Sequence, residues 1–182
     1  DEGTLYRFHL RENSAYWNGD PLTAEHFKSA WLRLLEPENK GEYASLLDII
    51  EGAREYRLGE YTDPDSVGLR VPSPYILEVK LKHPSSHFLK ILSHHSFIPL
   101  HPEMLQLTTW KNQEKIISNG PFYIRKKTSN EIHFIKNENY WDKDSVQLDK
   151  LIIRFDDDED LVTEMYNQGT VHWLPDLVNF KK

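Results

Sequence analysis

Apolar and polar residues alternate along Tyr6-Arg7-Phe8-His9-Leu10, placing Tyr6, Phe8 and Leu10 on one face and Arg7 and His9 on the other. A period of two predicts a half-buried strand. The period then changes. Ala24, Phe27, Trp31, Leu34 and Leu35 form one stripe on a helix that has to stop before Pro37. Between the two lies the densely punctuated stretch YWNGDPLTAEHF, Tyr16 to Phe27. Asn18-Gly19 predicts a turn, Pro21 stiffens the exit, and Thr23 is a good helix N-cap. His26 stands at N3 without the carboxylate that completes a capping box, so the stretch is expected to be a corner without a box.

Further on, YASLLDIIEGAREYRLGEY reads as a broken helix that Gly59 can end. SVGLRV and YILEVKL read as strands joined by a turn at PSPY, with Tyr75, Leu77, Val79 and Leu81 on one face. SSHFLKILSHH predicts a short helix, and FIPLHPEM an extended run broken by its two prolines. GPFYIRKK and NEIHFIK predict a strand pair around TSN. LDKLIIRF is a further strand whose apolar run predicts burial on both faces. The acids of DDDEDLVTEMYNQG suit a helix start and Gly169 its end, and TVHW is expected to return as a short strand. Hairpins mixed with a strand–helix–strand unit predict a mixed α/β (α+β) architecture, with a soft boundary near Ser93–Pro102.

Composition narrows the chemistry. The 182 residues carry 38% hydrophobic and 12% aromatic positions, a globular composition able to bury a core. A net charge of −7 argues against a general nucleic-acid binder. The absence of cysteine excludes disulfides, zinc-thiolate sites, iron–sulfur clusters and thiol nucleophiles. No apolar run approaches the roughly 20 residues of a membrane-spanning helix. The chain begins Asp1-Glu2-Gly3 close to a strand, which reads as an excised segment.

Nine histidines invite a metal hypothesis, because His83, His87, His94, His95 and His101 lie close together. Pro84 separates His83 from His87, and no HExxH motif accompanies them, so polar loop histidines are the preferred reading. The acids Asp156–Asp160 lack the central glycine of a calcium loop and suit a helix N-terminus instead. There is no G-x-S-x-G elbow, phosphate loop or G-x-G-x-x-G fingerprint. Catalysis is not expected, and neither a cofactor nor a metal is. Trp17, Trp31, Trp110, Trp141 and Trp173 are candidates for core, corner or cleft wall.

Four ordered segments then carry a resemblance. They are FHLRENSAYWNGDPLTAEHFKSAWLRLLEP, DPDSVGLRVPSPYILEVKLKHPSSHFLKIL, SNGPFYI with KNENYWD, and QLDKLIIRFDDDEDLVTEMYNQGTVHW. Together they resemble the family 5 extracellular solute-binding proteins, receptors of peptide-importing ABC transporters. EPENKGEYASLL is most similar to the oligopeptide-binding branch. The resemblance implies part of the first lobe of a two-lobed, periplasmic-binding-protein type II-like fold. Residues 1–99 would be its outer subdomain and 100–182 part of its sheet-bearing core, with the second lobe outside this sequence. It implies a non-enzymatic receptor that captures oligopeptides and hands them to an ABC transporter permease. The location implied is periplasmic or otherwise extracytoplasmic and membrane-associated, with a lipid anchor as one option in the longer protein.

Residue by residue, the resemblance places Tyr43 where oligopeptide binders have a cleft-facing tyrosine, a buried packing role being the alternative. It places His94 beside a side-chain pocket. His26 and His172 depart from the family pattern, each standing where an acid is usual. Other cargo within the family (dipeptides, nickel chelates, haem, sugars) remains an alternative, and a His-rich metal-dependent hydrolase is the rival from another class. Missing sheet neighbours would leave edges and apolar surface uncovered, which predicts self-association.

Overall fold

The computed structural model describes residues 3–107 and 116–174. Trp110 lies outside the described residues.

β1 (Leu5–His9), β2 (Leu69–Ser73) and β3 (Ile76–Lys80) form an antiparallel sheet of order β1-β3-β2. The alternation along β1 holds, with Tyr6 and Phe8 half-buried and their neighbours exposed. Pro72 is tolerated in β2 because that strand is an edge whose register shifts between Arg70 and Ser73. α1 (Ala24–Leu35) packs on this sheet and buries Ala24, Ala30, Trp31 and Leu35. Their core is shared with Leu47, Ile50, Leu69, Leu77, Val79, Leu81, Phe88 and Phe97, each large side chain contributing about 1.5–3 kcal/mol by leaving water. Trp31 is buried with its polar atom satisfied, its Nε1–H donating to the Phe97 carbonyl at 3.0 Å.

The broken helix resolves into a 3-10 turn over Ala44–Leu47 and α2 (Ala53–Arg57), with Gly59 at φ 76° just past the end. Gly52 separates them at φ 72°, and a Cβ there would lie 2.2 Å from the Ser66 carbonyl oxygen. Only glycine allows the two backbones that close approach.

α3 (Phe88–Ile91) is the short helix expected. The next stretch differs from expectation. FIPLHPEM contains α4 (Pro102–Leu105), because Pro102 takes the first helical position, where its missing N–H costs nothing, and His101 caps the turn.

β4 (Phe122–Lys127), β5 (Glu131–Lys136) and β6 (Lys150–Arg154) form a second antiparallel sheet in sequence order. The expected two-sided burial of LDKLIIRF is wrong. Among the described residues β6 is an edge strand pairing only with β5, and Leu151, Ile152 and Ile153 are 40%, 40% and 41% exposed. An apolar run reports what a strand would bury, and among the described residues nothing covers this one. α5 (Glu159–Asn167) starts as its acids predict, with the Asp158 carboxylate accepting from the Asp160 and Leu161 N–H groups. TVHW forms no strand, a second correction. The Thr170 and Val171 N–H groups both bond back to the Met165 carbonyl, so the chain folds onto the end of α5.

The two sheets meet through Trp17. Its ring stacks on Tyr123 at 4.9 Å between centroids and 14° between planes. Its Nε1–H donates to the Ile116 carbonyl at 2.9 Å, its backbone N–H to the Ser118 carbonyl at 3.0 Å, and its own carbonyl accepts from Asn139 Nδ2 at 3.0 Å. Asn137, 1% exposed, holds the other side, with Nδ2 donating to the Gly120 carbonyl and Oδ1 accepting from the Asn139 N–H, each at 2.9 Å. The motifs YWNG, SNGP and KNENYW therefore form a single joint. YWNGDPLTAEHF does more than turn a corner.

Candidate functional site

The site grows from the alternation within GEYASLL. In the 3-10 turn, Ala44 and Leu47 face the core, which leaves Tyr43 and Leu46 at the surface, each 37% exposed. Across from them the chain leaves α3 through Ser93 and enters a 3-10 turn over His95–Phe97 that His94 caps. Phe97 anchors that turn in the core, so His94 and His95 are held against Tyr43. The Tyr43 and His94 rings are 4.4 Å apart at 51°, and the His94 and His95 rings 4.2 Å apart at 32°. Both residues singled out in the sequence are thus brought into contact.

Beside this ring cluster lies an open depression of about 590 Å³, lined by Leu46, His87, Lys90, Ile91, Ser93, His94 and His95. His94 Nδ1 accepts from the Ser96 N–H at 3.3 Å. That bond assigns the proton to Nε2, leaving it a free donor. Leu46, Lys90 and Ile91 were not foreseen. Nothing in their own sequence context separates them from an ordinary amphipathic surface, and they join the site only because α3 and the 3-10 turn are packed side by side.

A second cluster sits under the opening motif. Tyr16 is fully buried, with its ring 5.4 Å from that of His26 and 4.9 Å, edge-on, from that of His101. His101 Nδ1 accepts from the Glu103 N–H at 3.3 Å while Nε2 bonds Asp20 Oδ2 at 2.9 Å, which fixes the Nε2–H tautomer. The hydrogen bonds from His101 and then Asn18 hold the Asp20 carboxyl below the usual carboxylate range. His26 Nδ1 accepts from the Thr23 N–H at 3.3 Å, so the imidazole fills the place that a carboxylate would take. The expected lack of a capping box is thereby corrected: a neutral His nitrogen is an adequate acceptor for the N-cap N–H. Burial, then the neighbouring His101, pushes His26 below the usual histidine pKa. Burial raises the Tyr16 phenol, whose hydroxyl finds no hydrogen-bond partner among the described residues. The cluster serves packing and capping.

Among the described residues no three His, Asp or Glu side chains are placed to share a metal ion. The histidines of the metal rival are divided: His101 belongs to the buried cluster, whereas His87, His94 and His95 line the depression. No described helix is long and apolar enough to cross a membrane.

Comparison with known proteins matches the ordered motifs. The profile of the bacterial extracellular solute-binding proteins, family 5 (middle), matches residues 1–179. The oligopeptide-binding protein OppA of Bacillus subtilis (strain 168) is 30% identical over 176 residues, which are 94% of this chain and 32% of that protein. The dipeptide-binding protein DppE of the same organism is 33% identical over 171 residues, 92% of this chain and 31% of that protein. The structure of Listeria monocytogenes OppA bound to peptide superposes with a TM-score of 0.86 at 28% identity, covering 94% of this chain and 34% of that one. The chain thus spans about a third of the length of these relatives. Its mixed α/β fold is theirs over that span, and the chain belongs to the family 5 bacterial extracellular solute-binding proteins.

Proposed function

We propose that this chain is part of the first lobe of a receptor that captures oligopeptides outside the cytoplasm and delivers them to an ABC importer. The observation that carries the reading is the contact between the exposed Tyr43 ring and His94, which itself lines a depression built from two separate elements. Flat, amphipathic rings on a rigid scaffold suit an extended peptide, whose backbone needs hydrogen bonds and whose side chains need room. The relatives named above for oligopeptides and dipeptides support this cargo class. No reaction is required of the site. In this reading residues 1–99 form the outer subdomain and 100–182 part of the sheet-bearing core. Capture is completed by parts of the receptor beyond this sequence, and closure presents the loaded receptor to permease subunits. A membrane-attached, lipid-anchored location follows from the same reading.

The test follows the amide and ring signals of the isotope-labelled chain by NMR during titration with trialanine and longer peptides. Shifts centred on Tyr43, Leu46, Ile91 and His94 are expected at millimolar peptide. Unchanged signals there overturn the reading. The bare apolar face of β6 extends the proposal to self-association of the isolated chain, and a concentration-independent monomer on size exclusion would contradict it.

A further inference from the structure

The donors and acceptors around the depression are unequal. Lys90 is exposed and forms no ion pair among the described residues, so its ammonium offers three N–H donors. His94 Nε2–H is a donor because Nδ1 is already bonded. Ser93 Oγ spends its proton on the Lys90 carbonyl at 2.7 Å. No carboxylate among the described residues lines the depression. Of the nearby acids, Asp48 is held by Arg57 at 2.6 Å, and Glu42, although next to Tyr43, is not among the lining residues. Leu46 and Ile91 supply apolar wall beside these donors.

We infer that the depression receives a carboxylate of the bound peptide, its methylene stem lying against Leu46 and Ile91 and its oxygens meeting Lys90 Nζ and His94 Nε2. This rests on the peptide-capture reading and adds the chemical class of the group the site selects. A carboxylate is acceptor-only and negatively charged, so it matches a donor-rich, cationic rim, whereas an ammonium side chain would be repelled by Lys90. The carboxylate has two sources, an acidic side chain or the peptide C-terminus. Side chain and terminus present the same group to the rim.

The experiment titrates the labelled chain with three peptides and follows the Tyr43, His94 and His95 ring signals. Ala-Glu-Ala-amide carries only a side-chain carboxylate, Ala-Gln-Ala only a terminal one, and Ala-Gln-Ala-amide none. At low salt, at least one carboxylate peptide is expected to bind about two- to fivefold more tightly than the peptide without a carboxylate, the range of an exposed charge pair. Which of the two gains identifies the source. The preference should shrink in high salt and be lost or inverted in Lys90→Glu, an exposed position at which folding is not at risk. Equal binding of all three peptides, or an unchanged order in Lys90→Glu, overturns the inference and leaves peptide capture standing. If none of the three moves these signals, peptide capture at this site falls together with the inference.

Discussion

Replacing Trp17 by alanine removes the side chain that couples the two sheets, and the structure gives the terms of the cost. The indole N–H bond to Ile116 contributes about 1 kcal/mol. The stack on Tyr123 adds about 1 kcal/mol beyond its area. The half-buried ring removes roughly 80 Å² of apolar surface from water, about 2 kcal/mol at about 25 cal/mol/Å². Trp17→Ala should therefore cost about 4 kcal/mol, a fall in Tm of about 8–16 °C for a chain of this size. Trp17→Phe keeps most of the area and the stack and should cost about 1–2 kcal/mol. Urea unfolding followed by far-UV circular dichroism measures both, because the signal does not depend on the replaced tryptophan. An alanine variant within about 0.5 kcal/mol of the parent, the range of an ordinary surface change, would refute the joint. A phenylalanine variant as costly as alanine would show that the stack contributes little and the N–H bond most.

Other expectations can be checked by the same unfolding measurements. Tyr16→Phe should be neutral or stabilising, since it removes a buried hydroxyl with no partner among the described residues; a loss above about 1 kcal/mol would reveal a hydrogen bond, direct or through water. The His26 pKa is lowered on folding, so its contribution is present above the unfolded value of 6.5 and is lost as pH falls through the folded one. His26→Glu puts a carboxylate acceptor in the same place and should flatten that decline, whereas parallel pH profiles would contradict the imidazole cap. Gly52→Ala should cost more than about 3 kcal/mol, because it adds a clash with the Ser66 carbonyl to left-handed strain. Gly169→Ala, at the same φ of 72° but in open space, should cost only about 1–2 kcal/mol, and equal losses would refute the distinction.

The sequence was legible where one residue type can serve only one end. The alternation along Tyr6–Leu10, the stripe from Ala24 to Leu35 and the turn signals at Gly59 and Gly169 all lead to the elements observed. Reasoning from periodicity failed where the outcome depends on a neighbour. LDKLIIRF has the composition of a covered strand, but its composition cannot tell whether a cover is present. TVHW could pair, yet Val171 bonds to the end of α5 instead. At the candidate site, Tyr43 and His94 came from resemblance, while Lys90 and Leu46 come from packing alone. At His26 a carboxylate is the residue type that signals a capping box, whereas the backbone N–H requires only a lone pair.

The Trp17 joint also bears on the order in which the molecule assembles. The β4–β5 hairpin closes over a short loop, whereas the bond between Asn139 and Trp17 spans 122 residues. Ordering so long an intervening chain is entropically costly, so local hairpins form early and the joint closes late. Two partly built halves then coexist before docking, and the last step is a search between surfaces. In kinetic terms Trp17→Ala should speed unfolding and leave the refolding rate nearly unchanged. A variant that instead slowed refolding would place the joint in the folding nucleus, and the halves would then assemble together.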